Sequence, residues 1–179
     1  MAIRKIRMAG DIILTKKSKP VAEYNQALKD LLSDMRETMR QNDGLGLAAP
    51  QVGVLRRVII LEIDDLSLEI INPELKHEED ISLRTEACLS NPDIQGDVLR
   101  PRITRLRYFD GDGVEWELYS EDANMSQAIC HEIDHLNGVL YTTKAINIKP
   151  RPKREDNDEP EEGEPESILD LSKITIRQI

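Results

Sequence analysis

Leu28, Leu31, Leu32, Met35 and Met39 recur at steps of three and four, drawing one apolar stripe along a helix predicted over residues 23–42. Asp43-Gly44 closes that helix. Downstream the pattern becomes strand-like. Residues 57–63 are a β-branched, apolar run, and residues 68–71 are another, ended by Asn72-Pro73. Residues 97–109 alternate, broken by Pro101, and reach the turn Asp110-Gly111-Asp112-Gly113, which makes residues 114–119 a hairpin partner. A second helix starts near Glu121-Asp122, acids that suit a helix N-terminus, and Gly138 suits the left-handed residue that ends it. A run of strands with two segregated helices predicts an α+β fold.

The pattern fails after Ile148. Residues 149–154 are basic and broken by proline, and residues 155–166 are acidic with almost nothing apolar. Such a segment cannot bury enough surface to order itself, so residues 149–166 read as a solvated linker. Residues 167–179 regain apolar character in Leu171, Ile174 and Ile176, which suits a returning strand. The division expected is therefore 1–148 as the main domain, 149–166 as linker and 167–179 as an apolar terminal segment.

At 179 residues the chain is long enough to bury a core. The net charge of −10 argues against nonspecific binding to nucleic acid or an anionic membrane. No apolar run approaches the roughly 20 residues of a membrane span. The N-terminal residues carry no secretory pattern. The expectation is a cytosolic protein, in which Cys88 and Cys130 stay unpaired.

Two of the three histidines stand in His131-Glu132-Ile133-Asp134-His135, on the second helix. Residues four apart share a helix face, so both imidazoles can grip one metal ion, with Glu132 beside them as general base toward a bound water. A third ligand is needed. A histidine three residues after Gly138 would supply it in one protease class, but that position is Tyr141, a poor zinc ligand. Cys88 is the candidate, since a thiolate with two imidazoles leaves one position open. His77 competes, but Lys76, Glu78, Glu79 and Asp80 around it read as a solvated face.

Residues 44–53, Gly-Leu-Gly-Leu-Ala-Ala-Pro-Gln-Val-Gly, match neither a phosphate loop nor a dinucleotide fingerprint. A tight helix-to-strand turn explains the glycines but not Gln51 at the end of so apolar a run. A buried glutamine needs partners, and its amide could donate to a developing oxyanion. The backbone N–H of Leu89, next to Cys88, could do the same.

Taken in order, Gly44 to Gln51, Glu86 to Ser90 and His131 to His135 resemble the peptide deformylase family, in the form without the long insertion. The resemblance covers residues 1–148. It implies a mostly antiparallel α+β fold around a central H-E-x-x-H helix. It also implies a hydrolase that takes the formyl group from the N-terminal methionine of newly made polypeptides. Cys88, His131 and His135 would hold the metal, ferrous iron first, with zinc, nickel or cobalt able to replace it. Glu132 would be the base, and Gln51 and Leu89 would steady the oxyanion. Leu45 and Gly46 would pair with the substrate backbone, and Glu86 and Arg100 would form an ion pair behind the ligands. The partners implied are formylmethionyl nascent peptides, the ribosome exit being one place to meet them, with no nucleic-acid motif and no membrane. The compartment implied is bacterial cytoplasm, or an organelle.

Three departures stand out. Ala87 replaces the glycine of the middle motif, Cys130 replaces the usual glutamine, and Asn124 and Gln127 stand where apolar residues often help form the methionine pocket. Two rival readings remain: an H-E-x-x-H metallopeptidase, which needs a downstream carboxylate ligand, and a catalytically weak or inactive relative that binds formylated chains or ribosomes, for which Ala87 is the best support.

Overall fold

A computed structural model describes residues 2–152 and 167–179. In chain order its regular elements are α1 (Gln26–Arg40), β1 (Gly46–Ala48), β2 (Val58–Ile63), β3 (Leu66–Cys88), β4 (Asn91–Phe109), β5 (Glu115–Ser120), α2 (Ala123–Leu136), β6 (Ile146–Pro150) and β7 (Ile174–Gln178), with short 3-10 turns between them. All strand pairs are antiparallel, and the sheet runs β1-β2-β3-β4-β5-β7, with β6 added to β4. The fold is mixed α+β.

The apolar run of β2 is buried on both faces, because a helix lies on each side. Ile59, Leu61 and Ile63 pack toward Met125, Ile129, Ile133 and Leu136 of α2. Val58 and Ile60, one residue out of phase, pack toward the Leu28, Leu31, Leu32, Met35 and Met39 stripe of α1. Burying the four apolar side chains of α2 contributes on the order of 6–12 kcal/mol. That fixes the helix whose other face carries charge.

The helix ends follow from capping. Asn25 accepts a hydrogen bond from the Leu28 N–H, so α1 begins after it rather than at Glu23. Asp122 accepts from the N–H groups of Asn124 and Met125 and starts α2. Gly138, at φ 74°, leaves α2 in the left-handed region, with Thr15 O only 2.5 Å from where a Cβ would stand.

The strands run further than their patterns indicated. Asn72-Pro73 does not end a strand: β3 passes through it, because Asn72 takes φ 51° and a register shift between Ile71 and Glu74 absorbs the irregularity. Likewise β4 starts at Asn91 and continues through Pro101. Beyond its pairing with β3, β4 is paired by β6 up to Asp97 and by β5 from Thr104, and Pro101 falls in the interval between. The segment expected as linker overlaps β6, since Lys149 and Pro150 pair with Gln95 and Ile94. Residues 153–166 of that segment lie outside the described residues. Residues 174–178 form β7 against β5, and Leu169 is buried in the α2 core.

Candidate functional site

Alternation along β3 turns Glu86 and Cys88 to the same buried face, toward α2. A register shift between Ala87 and Cys88 kinks the end of the strand, the kind of device that re-aims a side chain. From α2, helical spacing brings His131 and His135 to meet Cys88. Ligand atoms of Cys88, His131 and His135 all lie within 4.8 Å of one another. The Cys88 Sγ stands 3.2 Å from His135 Nε2. The two imidazoles meet edge to face, with ring centres 5.0 Å apart.

The hydrogen bonds behind this triad hold its side chains in place. His131 Nδ1 lies 2.8 Å from Glu86 Oε2, which leaves Nε2 for an ion. Arg100 clamps Glu86 from behind: its Nε donates to Oε1 at 2.6 Å and its Nη2 to Oε2 at 2.9 Å. The third arm of Arg100 donates to Asp134 Oδ2 at 2.7 Å, and Lys144 Nζ donates to both Asp134 oxygens at 2.7 and 2.8 Å. Sulfur, two imidazoles and an orienting carboxylate are a donor set that suits one divalent transition-metal ion with a position left open.

The electrostatics agree. Burial alone would raise the Glu86 carboxyl, but the hydrogen bonds from Arg100 and His131 outweigh it and hold the group at about 2. Burial and the charges of His131 and Arg100 push the His135 imidazole well below its usual value, toward the neutral form that binds metal. Burial also lowers His131, but Cys88 and Glu86 outweigh it and raise that imidazole. A divalent charge held at the triad would oppose that protonation. Burial pushes the Glu132 carboxyl up to about 7, and Glu86 adds to the shift. Glu132 Oε2 and His135 Nδ1 are buried without a hydrogen-bond partner among the described residues. A carboxyl with a raised pKa and a spare oxygen beside the triad can take and return a proton.

Gln51 sits in the turn Ala49–Val52 and is 1% exposed. Its Oε1 accepts from the Ala48 N–H at 2.8 Å, which fixes the amide, and its Nε2 points at Ser90 Oγ (3.2 Å) and Cys88 Sγ (3.5 Å). Gly46 of β1 lies against the general-base candidate: a Cβ there would stand 2.6 Å from Glu132 Oε1. Leu45 precedes β1 and is half exposed. Leu89 follows Cys88 in a tight turn. The structure thus brings Gln51, Cys88, Glu86, Arg100, His131, Glu132 and His135 together.

His77 is elsewhere, exposed on β3 with its Nε2 3.0 Å from Glu79. Cys130 is buried, its thiol pushed up to about 12 by desolvation and by Glu78. Ala87 is not among the residues with positive φ, so its Cβ meets no backbone penalty at the glycine position. Asp134, Lys144 and Ser90 were not singled out in the sequence. Asp134 carried one legible signal, an acid three residues from His131 on the same helix.

Among the described residues no helix is long and apolar enough to cross a membrane. A family model described as polypeptide deformylase matches residues 3–151. A peptide deformylase from Thermoanaerobacter pseudethanolicus is 47% identical over 155 residues, covering 87% of this chain and 97% of its own. One from Caldanaerobacter subterraneus is 49% identical over 148 residues, covering 83% and 92%. Among solved structures, a Synechococcus elongatus peptide deformylase in complex with actinonin superposes with TM-score 0.77 at 36% identity, covering 79% of this chain and 78% of its own. The Thermotoga maritima enzyme gives TM-score 0.76 at 35% identity, covering 82% and 99%.

Proposed function

The chain belongs to the polypeptide deformylase family, and from that premise we propose that it removes the formyl group from the N-terminal formyl-methionine of newly made polypeptides. It is a metal-dependent hydrolase of the deformylase type. The observation that carries the proposal is the meeting of Cys88 with His131 and His135 beside a buried Glu132 whose second oxygen has no partner among the described residues.

In this reading Cys88, His131 and His135 hold one divalent ion, ferrous iron, with zinc, nickel or cobalt as substitutes. When bound, the ion supplies Lewis acidity, polarising the formyl carbonyl and making water nucleophilic near neutral pH. Glu132 accepts the proton that water releases, and its pKa near 7 suits it to hand that proton to the leaving amine. The Gln51 amide and the Leu89 N–H donate to the oxyanion. The fixed orientation of the Gln51 amide supports this, because preorganised donors act without rearranging. The backbone of Leu45 and Gly46 pairs with the substrate chain along the edge of β1. Glu86 orients His131, and Arg100 keeps Glu86 ionised. A formyl carbon bears only hydrogen, so a tight site excludes larger acyl groups by their bulk. We place the reaction in the bacterial-type cytoplasm, at the ribosome exit, with no membrane or direct nucleic-acid contact.

The test is formate release from a formyl-Met tripeptide by the anaerobically purified protein, alongside Glu132→Ala. Turnover in the native protein, and its loss in the variant with metal content retained, is the expected result. Deformylation by Glu132→Ala at the native rate rejects the base assignment. Absence of formate release by the metal-loaded native protein rejects the proposal.

A further inference from the structure

Helix α2 is buried over most of its surface, but Ala123, Asn124, Gln127, Ala128 and His131 keep partial access to solvent. Steps of three and four put these residues on one face, so solvent approaches His131 along a single stripe. On β3, alternation places Arg84 on the face of Glu86 and Cys88, and its guanidinium lies across that stripe. Arg84 Nε donates to Gln127 Oε1 at 3.0 Å, and Nη2 donates to Asn124 Oδ1.

Both amides are held from behind. Gln127 Nε2 donates to Thr85 O at 2.8 Å, and Asn124 Nδ2 donates to Ile168 O at 2.7 Å. Each amide oxygen is therefore fixed toward the guanidinium. Arg100 and Arg102 have carboxylate partners, whereas Arg84 forms no ion pair among the described residues. Two of its N–H groups serve the amides, and a guanidinium carries five.

The level of this cluster matches the reach of one side chain. Gln127 lies four residues, about 6 Å, along the axis from His131. With the formyl carbon beside the metal ligands, bond lengths put the end of a methionine-sized side chain about 6–7 Å away. We propose that Arg84, oriented by Gln127 and Asn124, is a specificity-determining residue that donates hydrogen bonds to the end of the first residue's side chain. The substrate class this adds is formyl peptides whose first side chain ends in an oxygen acceptor, methionine sulfoxide and glutamine among them. The inference rests on the deformylase reading.

The test compares kcat/KM for formate release from tripeptides that differ only at the formylated residue: methionine, norleucine, methionine sulfoxide and glutamine. Norleucine keeps the length and removes the acceptor. The ratio of sulfoxide to norleucine on one preparation does not depend on metal loading. In Arg84→Leu that ratio is expected to fall about 10-fold or more, the loss of a hydrogen bond from a charged donor. Arg84→Lys, which keeps a donor, should retain part of it. Should Arg84→Leu not fold, Gln127→Ala removes one anchor of the guanidinium and should lower the same ratio. A ratio within about 2-fold of native in the folded variants, with all peptides turned over, overturns this inference alone. A native protein that releases no formate from any of the peptides overturns the deformylase reading, and this inference with it.

Discussion

Adding one methyl group at Gly46 separates catalytic geometry from fold stability. Gly46 is in β1 and does not have positive φ, so alanine fits its backbone. The obstacle is space: the new Cβ would stand 2.6 Å from Glu132 Oε1 and 2.8 Å from Leu61 Cδ2. Ordinary contact needs roughly 3.5 Å, so the carboxylate, the strand or both must move by about 1 Å. Overpacking of this kind costs about 1–3 kcal/mol of stability. A catalytic group displaced by about 1 Å loses on the order of 100-fold in rate. Gly46→Ala should therefore remain folded, with a modestly lower Tm and native metal content, while kcat for formate release falls about 100-fold. Thermal unfolding, elemental analysis and steady-state kinetics on the same sample read all three. A rate within about 3-fold of native would show that Glu132 has slack on the β1 side and would refute the close-approach argument.

Two further outcomes follow from the buried charges. Arg100→Leu removes the guanidinium that clamps the buried Glu86 carboxylate, while Asp134 keeps Lys144, and should cost about 3–5 kcal/mol in urea unfolding; a loss under about 1 kcal/mol would contradict the clamp. Glu86→Gln tests its pH sign. The folded pKa of about 2 lies below the ordinary carboxylate value, so the native protein's advantage over the variant is present above about 4.5 and is lost as pH falls toward 2. Stability measured from pH 6 to pH 2 should show the two proteins converging; a constant gap would contradict an ionised, paired Glu86.

The histidine part of the candidate metal site was legible because its signals are local, whereas Cys88 comes from a distant strand. Two histidines at helical spacing with an adjacent glutamate need only a helix to become a site, and the capped, amphipathic stretch after Asp122 supplies one. His77 could be set aside from the charges beside it, and it is indeed exposed. Long-range consequences were less legible. Asn72-Pro73 reads as a stop, yet a left-handed Asn72 and a register shift carry β3 through it, and only the partner strand makes that tolerable. Pro101 is absorbed for a related reason, by the interval between β5 and β6. Asp134 looked like a free position of the motif because its partners, Arg100 and Lys144, come from another strand and from beyond the helix end. Arg84 likewise becomes informative only when β3 lies across α2.

The central claim is that one sulfur and two imidazole nitrogens surround a single ion. X-ray absorption at the metal edge of the purified full chain measures this directly. The account predicts one sulfur scatterer at about 2.3 Å with nitrogen at about 2.0–2.1 Å if zinc is loaded, and loss of the sulfur shell together with weakened metal retention in Cys88→Ser. A shell of nitrogen and oxygen alone in the native protein, or a sulfur shell that survives Cys88→Ser, would contradict it.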